Sequence, residues 1–212
     1  MMKRIFVLAV IMAMVLGFSL QANAALELRG TDNQGNRLIY DTDFNITWYD
    51  YTNTFNTWQN QMNWASALSV SGGDLVGVYD DWRLPTALNQ NGTGPCSGYN
   101  CTGSEMGHLY FTEFGNKEYP SSGYGLAIKG DFQKLQAVTY WSCTEYSAAA
   151  WAFYASSGWQ GYGNKGSYGV YAIAVRNGDV AVVPEPISSI LVVIGGATLI
   201  GIKYFRERIN EV

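Results

Sequence analysis

The residues best suited to holding a ligand are Trp159, Tyr162 and Tyr168, set in and just after the glycine-rich stretch Ser156-Ser-Gly-Trp-Gln-Gly-Tyr-Gly-Asn-Lys-Gly166. Aromatic rings on a mobile loop present flat apolar faces to a sugar ring or a partner protein. The same rings folded back over the body would be packing, and the sequence leaves both readings open. Groups able to do covalent or metal chemistry are sparser. The only histidine, His108, lies in Glu105-Met-Gly-His-Leu-Tyr110 with no HExxH or CxxC motif beside it, so no metal ligand, catalytic residue or cofactor is expected. Asp74, Asp80 and Asp81 carry oxygens of the kind a hard cation takes, yet solvated loop acids are the ordinary reading. Trp82, Arg83 and Pro85 read as a structural corner, with Arg83 on a carboxylate, in preference to a recognition edge. Glu145 and Arg176 are expected to pair inside the fold.

In an oxidising compartment the near pair among the three cysteines can bridge. Cys96 and Cys101, in Pro95-Cys-Ser-Gly-Tyr-Asn-Cys101, are expected to close a small disulfide loop worth about 2 kcal/mol, leaving Cys143 as a buried free thiol in an apolar run.

The elements that must position these groups are short. Leu38–Tyr40 and Ile46–Tyr49 are runs of strand formers around the turn signal Asp41-Thr-Asp43 and predict an opening hairpin. Apolar residues at Trp58, Met62, Ala65 and Leu68 predict a helix from Thr57 to Ser69, capped by Asn56 or Thr57 and ended by Gly72-Gly73. Ser104 is expected to cap a second helix, Glu105 to Phe114. Strands are expected at 137–142, 150–155 and 168–175, joined by glycine-rich connections.

The two ends differ from this body. Met1 to Arg4 is basic, Ile5 to Leu20 is almost wholly apolar, and Ala22-Asn23-Ala24 is a small-x-small site, so residues 1–24 read as a signal peptide cleaved after Ala24; an uncleaved anchor is the other reading. The body, residues 25–183, carries eight Lys and Arg against fourteen Asp and Glu, a formal charge of −6. Such a surface repels phosphates, so no nucleic-acid partner is expected. Residues 184–212 open with Pro184-Glu185-Pro186 and continue through an uncharged run, Ile187 to Ile202, to Lys203, Arg206 and Arg208. At 1.5 Å per residue that run covers about 24 Å, or about 28 Å through Phe205 with Lys203 snorkelling, enough for one transmembrane helix at about 187–205. The basic cluster after it favours a cytoplasmic C-terminus and a body outside the inner membrane.

This tail resembles the PEP-CTERM sorting signal of Gram-negative bacteria: Pro184, Glu185 and Pro186, a short apolar helix, then Arg206 and Arg208. The resemblance implies an exosortase as partner and delivery to the cell surface or matrix. A plain anchor with a Pro-rich stalk is the alternative. In the body, Ile46-Thr-Trp-Tyr49, Asp81-Trp-Arg-Leu-Pro-Thr86, Tyr140-Trp-Ser-Cys-Thr-Glu-Tyr146, Ala150-Trp-Ala-Phe153 and Ala174-Val-Arg-Asn-Gly-Asp179 resemble an Lcl-type C-terminal domain. Cys143 departs from the small residue usual there. The resemblance implies an α+β, C-type-lectin-like domain with two helices and small twisted antiparallel sheets. It also implies adhesion or binding of a polysaccharide or surface protein. The Glu-Pro-Asn and Trp-Asn-Asp strings of calcium-dependent lectins are absent from the chain. An enzyme acting on envelope glycans and a purely structural matrix component are the alternatives to a binding module.

Overall fold

The computed structural model describes residues 25–166 and 169–184. The Ala22 and Ala24 cleavage site, Tyr168, Glu185, Pro186, Arg206, Arg208 and the 187–205 span lie outside the described residues. Among the described residues, no helix is long and apolar enough to cross a membrane.

Among the described residues the chain is mostly sheet with two short helical segments, an α+β architecture. In chain order the strands are β1 (Leu26–Thr31), β2 (Arg37–Asp41), β3 (Ile46–Asn56), β4 (Val70–Ser71), β5 (Val78–Tyr79), β6 (Thr139–Tyr146), β7 (Ala149–Tyr154), β8 (Trp159–Asn164) and β9 (Val170–Asn177). Helix α1 spans Trp58–Ser66, and α2 (Glu105–Gly107) runs directly into a π-helical turn, His108–Glu113. Instead of several small sheets there is one of seven strands, ordered β1-β2-β3-β9-β6-β7-β8, with β4-β5 as a separate ribbon. Pairing is antiparallel except between β6 and β9, which meet in parallel at Tyr140 and Tyr171.

Side chains alternate across a strand, so the β-branched and aromatic runs supply apolar groups to both faces. One face carries Leu38, Tyr49, Trp141, Ala150, Ala152, Ala172 and Ala174 under α1; the alanines make room for Trp58 and Trp82. The other carries Ile39, Trp48, Tyr140, Phe153, Ile173 and Val175 under Met106, Leu109, Tyr110 and Phe114. Each neighbouring pair, such as Leu38 and Ile39 or Trp48 and Tyr49, divides between the two cores.

Several elements differ from the sequence expectation. Helix α1 stops at Ser66, well before Gly72-Gly73, and its N-cap Thr57 makes no side-chain cap bond. Ser104 does cap the second helical segment, accepting from the Gly107 N–H at 3.2 Å, but after one turn that helix widens. Gly107 is required there: a Cβ would stand 1.9 Å from the Cys101 carbonyl oxygen. β1 and β8 were not expected; β8 occupies the stretch read as a mobile loop and pairs with β7 along its whole length.

Candidate ligand-binding site

The sheet ends at β8, whose outer edge is covered by the disulfide loop. Cys96 and Cys101 are joined, and Gly98, between them, exchanges both backbone hydrogen bonds with Gln160, each 2.8 Å. Gln160 is buried, and its side chain ties three segments together. Its Nε2 donates to the Cys96 carbonyl at 2.8 Å and to that of Ala87 at 3.2 Å, while its Oε1 accepts from the Ser104 hydroxyl at 2.6 Å. Covering an edge in this way blocks strand addition and fixes the loop in place.

The braced loop borders an open cleft of 440 Å³ lined by Asn89, Gln90, Asn91, Asn100 and Thr102 together with the disulfide. Amides and a hydroxyl give it paired donors and acceptors, the complement of a polyhydroxylated or peptide ligand. Tyr99, between the two cysteines, meets Trp159 edge to face, with ring centroids 5.1 Å apart.

Trp159 and Tyr162 do not form one surface. Three residues apart on a strand, they point to opposite faces. Trp159 lies over Gly161, where a Cβ would stand 2.5 Å from the indole nitrogen, and is 39% exposed. Tyr162 packs on Tyr146 with the rings tilted and their centroids 4.5 Å apart, beside Trp151, and both tyrosines are 52% exposed.

The Asp-Trp-Arg-Leu-Pro-Thr string is a corner built into the sheet. Arg83 exchanges backbone hydrogen bonds with Val175 of β9, and Cys143 of β6 donates its N–H to the Pro85 carbonyl, so the string bridges the two strands. The Arg83 guanidinium grips Glu105 with two hydrogen bonds, 2.8 and 2.7 Å, and Glu105 also accepts from the Thr86 N–H. Glu145 and Arg176 do not pair with each other: Lys165 holds Glu145 and Asp81 holds Arg176. Arg176 holds the Asp81 carboxyl below its ordinary value. Asp74 is occupied by the backbone N–H and hydroxyl of Thr31, so the three loop acids do not converge on a cation. Cys143 is free and partly buried, and burial pushes its thiol up.

No family model, no curated protein and no solved structure matches the chain. The assignment of a site therefore rests on geometry.

One cluster was not foreseen. Asp41 ends β2, while His108 and Glu113 open and close the π-helical turn; one ligand atom from each lies within 4.8 Å of the others. Glu113 Oε1 is 2.9 Å from His108 Nε2, and exposed Asp43 reaches the same nitrogen at 3.7 Å. Burial pushes the Asp41 carboxyl up, offset only in part by the N–H groups of Phe44 and Asp43. Burial, then the charge of Asp41, pushes Glu113 up as well.

Proposed function

We propose that the chain is an exported, membrane-anchored surface or matrix protein whose body is a C-type-lectin-like binding module without catalytic activity. The observation that carries the binding reading is the amide-lined cleft on a disulfide-braced loop, the loop whose Tyr99 packs against the half-exposed Trp159. Amides beside an aromatic face are the pairing that sugars favour: hydroxyls bond to the amides and the ring packs on carbon. An acidic body suits a neutral polysaccharide or a protein surface better than a polyanion.

Export and anchoring rest on the apolar start with Ala22 and Ala24, and on the tail with Pro184, Glu185, Pro186, Arg206 and Arg208. The resemblance of that tail to PEP-CTERM signals makes an exosortase its processing partner, and that of the body to Lcl-type domains supports adhesion. A glycan array probed with the full-length chain tests the binding reading. Retention on neutral glycans is expected, with a loss of about tenfold for Trp159→Ala, the scale of one buried aromatic anchor. Retention that Trp159→Ala leaves intact would remove this cleft from consideration, and turnover of a retained glycan would make the protein an enzyme. Intact-mass analysis with and without exosortase tests the tail: cleavage beside Pro184 is expected only in its presence.

A further inference from the structure

We propose that Asp41, Glu113 and His108 form a binding site for a divalent first-row transition-metal ion of the Zn²⁺ or Mn²⁺ kind, with Asp43 at its open side. Three features of the side chains argue for it. First, the carboxylate of Asp41 is only half used. Its Oδ1 accepts from the N–H groups of Asp43 and Phe44 at 3.1 and 3.0 Å, while Oδ2, fully inaccessible to solvent, has no hydrogen-bond partner. Asp41 as a whole is 1% exposed. A buried anionic oxygen without a donor is costly unless a cation faces it.

Second, His108 Nε2 is equally buried and equally without an aligned hydrogen bond, despite lying 2.9 Å from Glu113 Oε1. His108 is 7% exposed, and its ring packs against Phe44 at 4.3 Å, which fixes the edge turned to the two acids. The Trp48 indole N–H is near Asp41, but it too lacks an aligned partner. Asp41 Oδ2, Trp48 Nε1 and His108 Nε2 thus lie buried together without a well-aligned bond, the indole beside Asp41 and the imidazole beside Glu113.

Third, the backbone is shaped to bring the ligands together. His108 and Glu113 are five residues apart, which on an α-helix turns their side chains about 140° from each other. The π-helical turn, with i→i+5 bonding, draws that angle in and sets both on one side; such turns recur at functional sites. The Phe114 N–H donating to the Leu109 carbonyl at 3.1 Å shows the wide spacing.

The ligand chemistry selects the ion. One imidazole favours zinc, iron or nickel over calcium and magnesium, two carboxylates suit manganese or zinc, and no thiolate is present to draw copper(I). Ligand atoms about 2.0–2.2 Å from one ion stand up to about 4 Å apart, so the cluster closes slightly on loading. Exposed Asp43 supplies an entry path and a further ligand. The Gln90 side chain donates to the Asp43 carbonyl at 2.8 Å, which links the metal site to a residue lining the amide-lined cleft, though the metal site stands whether or not that cleft binds a glycan.

The test is calorimetric titration of the full-length chain with ZnCl2 after dialysis against EDTA, in a Cys143→Ser background that removes the free thiol as a competing ligand. About one ion per chain is expected, with affinity reduced at least about tenfold in His108→Ala and in Glu113→Gln and unchanged in Asp74→Asn. CaCl2 should not compete. Absence of saturable binding by the folded parent overturns the proposal, as does binding that both variants leave intact. Equal affinity for Ca²⁺ overturns the assignment of the ion class. Should His108→Ala lose its near-ultraviolet dichroism, the isosteric Glu113→Gln decides the question.

Discussion

Asp32 and Asp41 stand at equivalent places in successive hairpins, the first opening the β1–β2 turn and the second the β2–β3 turn, and both are buried, at 5% and 1% exposure. Each uses Oδ1 to bond the N–H groups of its own turn, the local bonding that makes aspartate a turn former. They differ at Oδ2. That of Asp32 accepts from the Asn36 amide at 3.0 Å and from the Tyr49 hydroxyl at 2.7 Å. That of Asp41 has no aligned donor, the Trp48 indole N–H standing nearest, and its carboxylate clusters with an imidazole and a second acid. Burial would push both carboxyls up, yet the donors around Asp32 hold it below its ordinary value while Asp41 stays above. A buried acid surrounded by neutral donors is part of the scaffold; one left with a bare lone pair beside other ligand atoms is poised for a cation.

The largest expected effect is at Asp32. In Asp32→Asn, either orientation of the new amide sets its NH2 against donors: the turn N–H groups on one side, Asn36 Nδ2 and the Tyr49 hydroxyl on the other. A loss of about 2–3 kcal/mol is expected, measured by guanidinium unfolding followed by tryptophan fluorescence. The pH dependence has a definite sign. A depressed carboxyl contributes stability above its unfolded value of about 3.9, and that contribution is lost as pH falls through the folded value. The gap between parent and variant should therefore narrow below about pH 4. A gap that widens there would mean that Asp32 is not the satisfied carboxylate of the pair.

A smaller effect is expected when only one donor goes. Tyr49→Phe removes the hydroxyl but leaves Asn36 on Asp32, and should cost about 1.5 kcal/mol in the same assay. The Asn36 amide also donates to that hydroxyl, and its oxygen accepts from Lys134, so the network has a second member to take up the loss. No change in Tyr49→Phe would show that the three-way contact around Asp32 is dispensable.

Much of this scaffold was legible in the sequence, and the failures have physical causes. The pattern Leu-Ile-Tyr, then Asp-Thr-Asp, then Ile-Thr-Trp-Tyr marks β2, its turn and the start of β3, because β-branched and aromatic residues flank a turn former. The disulfide was foreseen from the spacing of Cys96 and Cys101 and the oxidising compartment. The β8 stretch reads as a loop because glycines are depleted in strands. Here one has a packing role, since Trp159 lies over Gly161, where a Cβ would stand 2.5 Å from the indole nitrogen. The Asp41 cluster was invisible for two reasons. Asp41 is distant in the chain, and an i, i+5 pair matches no helical motif, since a sequence does not announce that a helix will widen after its first turn.

The smallest expected effect, and the one that separates the two turns most cleanly, is Asp41→Asn in metal-free buffer. The amide oxygen can still accept from the N–H groups of Asp43 and Phe44, so the turn keeps its hydrogen bonds. At the Oδ2 position an NH2 replaces an oxygen that has no aligned hydrogen bond, so only the loose approach of the Trp48 indole is given up. An acid whose folded value is raised costs stability at every pH above its unfolded value, because the folded state must hold the charge against burial. A neutral isostere removes that cost, and relieves Glu113 of a neighbouring charge. Asp41→Asn should therefore stabilise the EDTA-treated chain by under about 1 kcal/mol at pH 7, opposite in sign to Asp32→Asn, and added ZnCl2 should reverse the order by stabilising only the parent. If Asp41→Asn instead costs as much as Asp32→Asn, the two aspartates are equivalent turn formers and the bare oxygen of Asp41 has no special role.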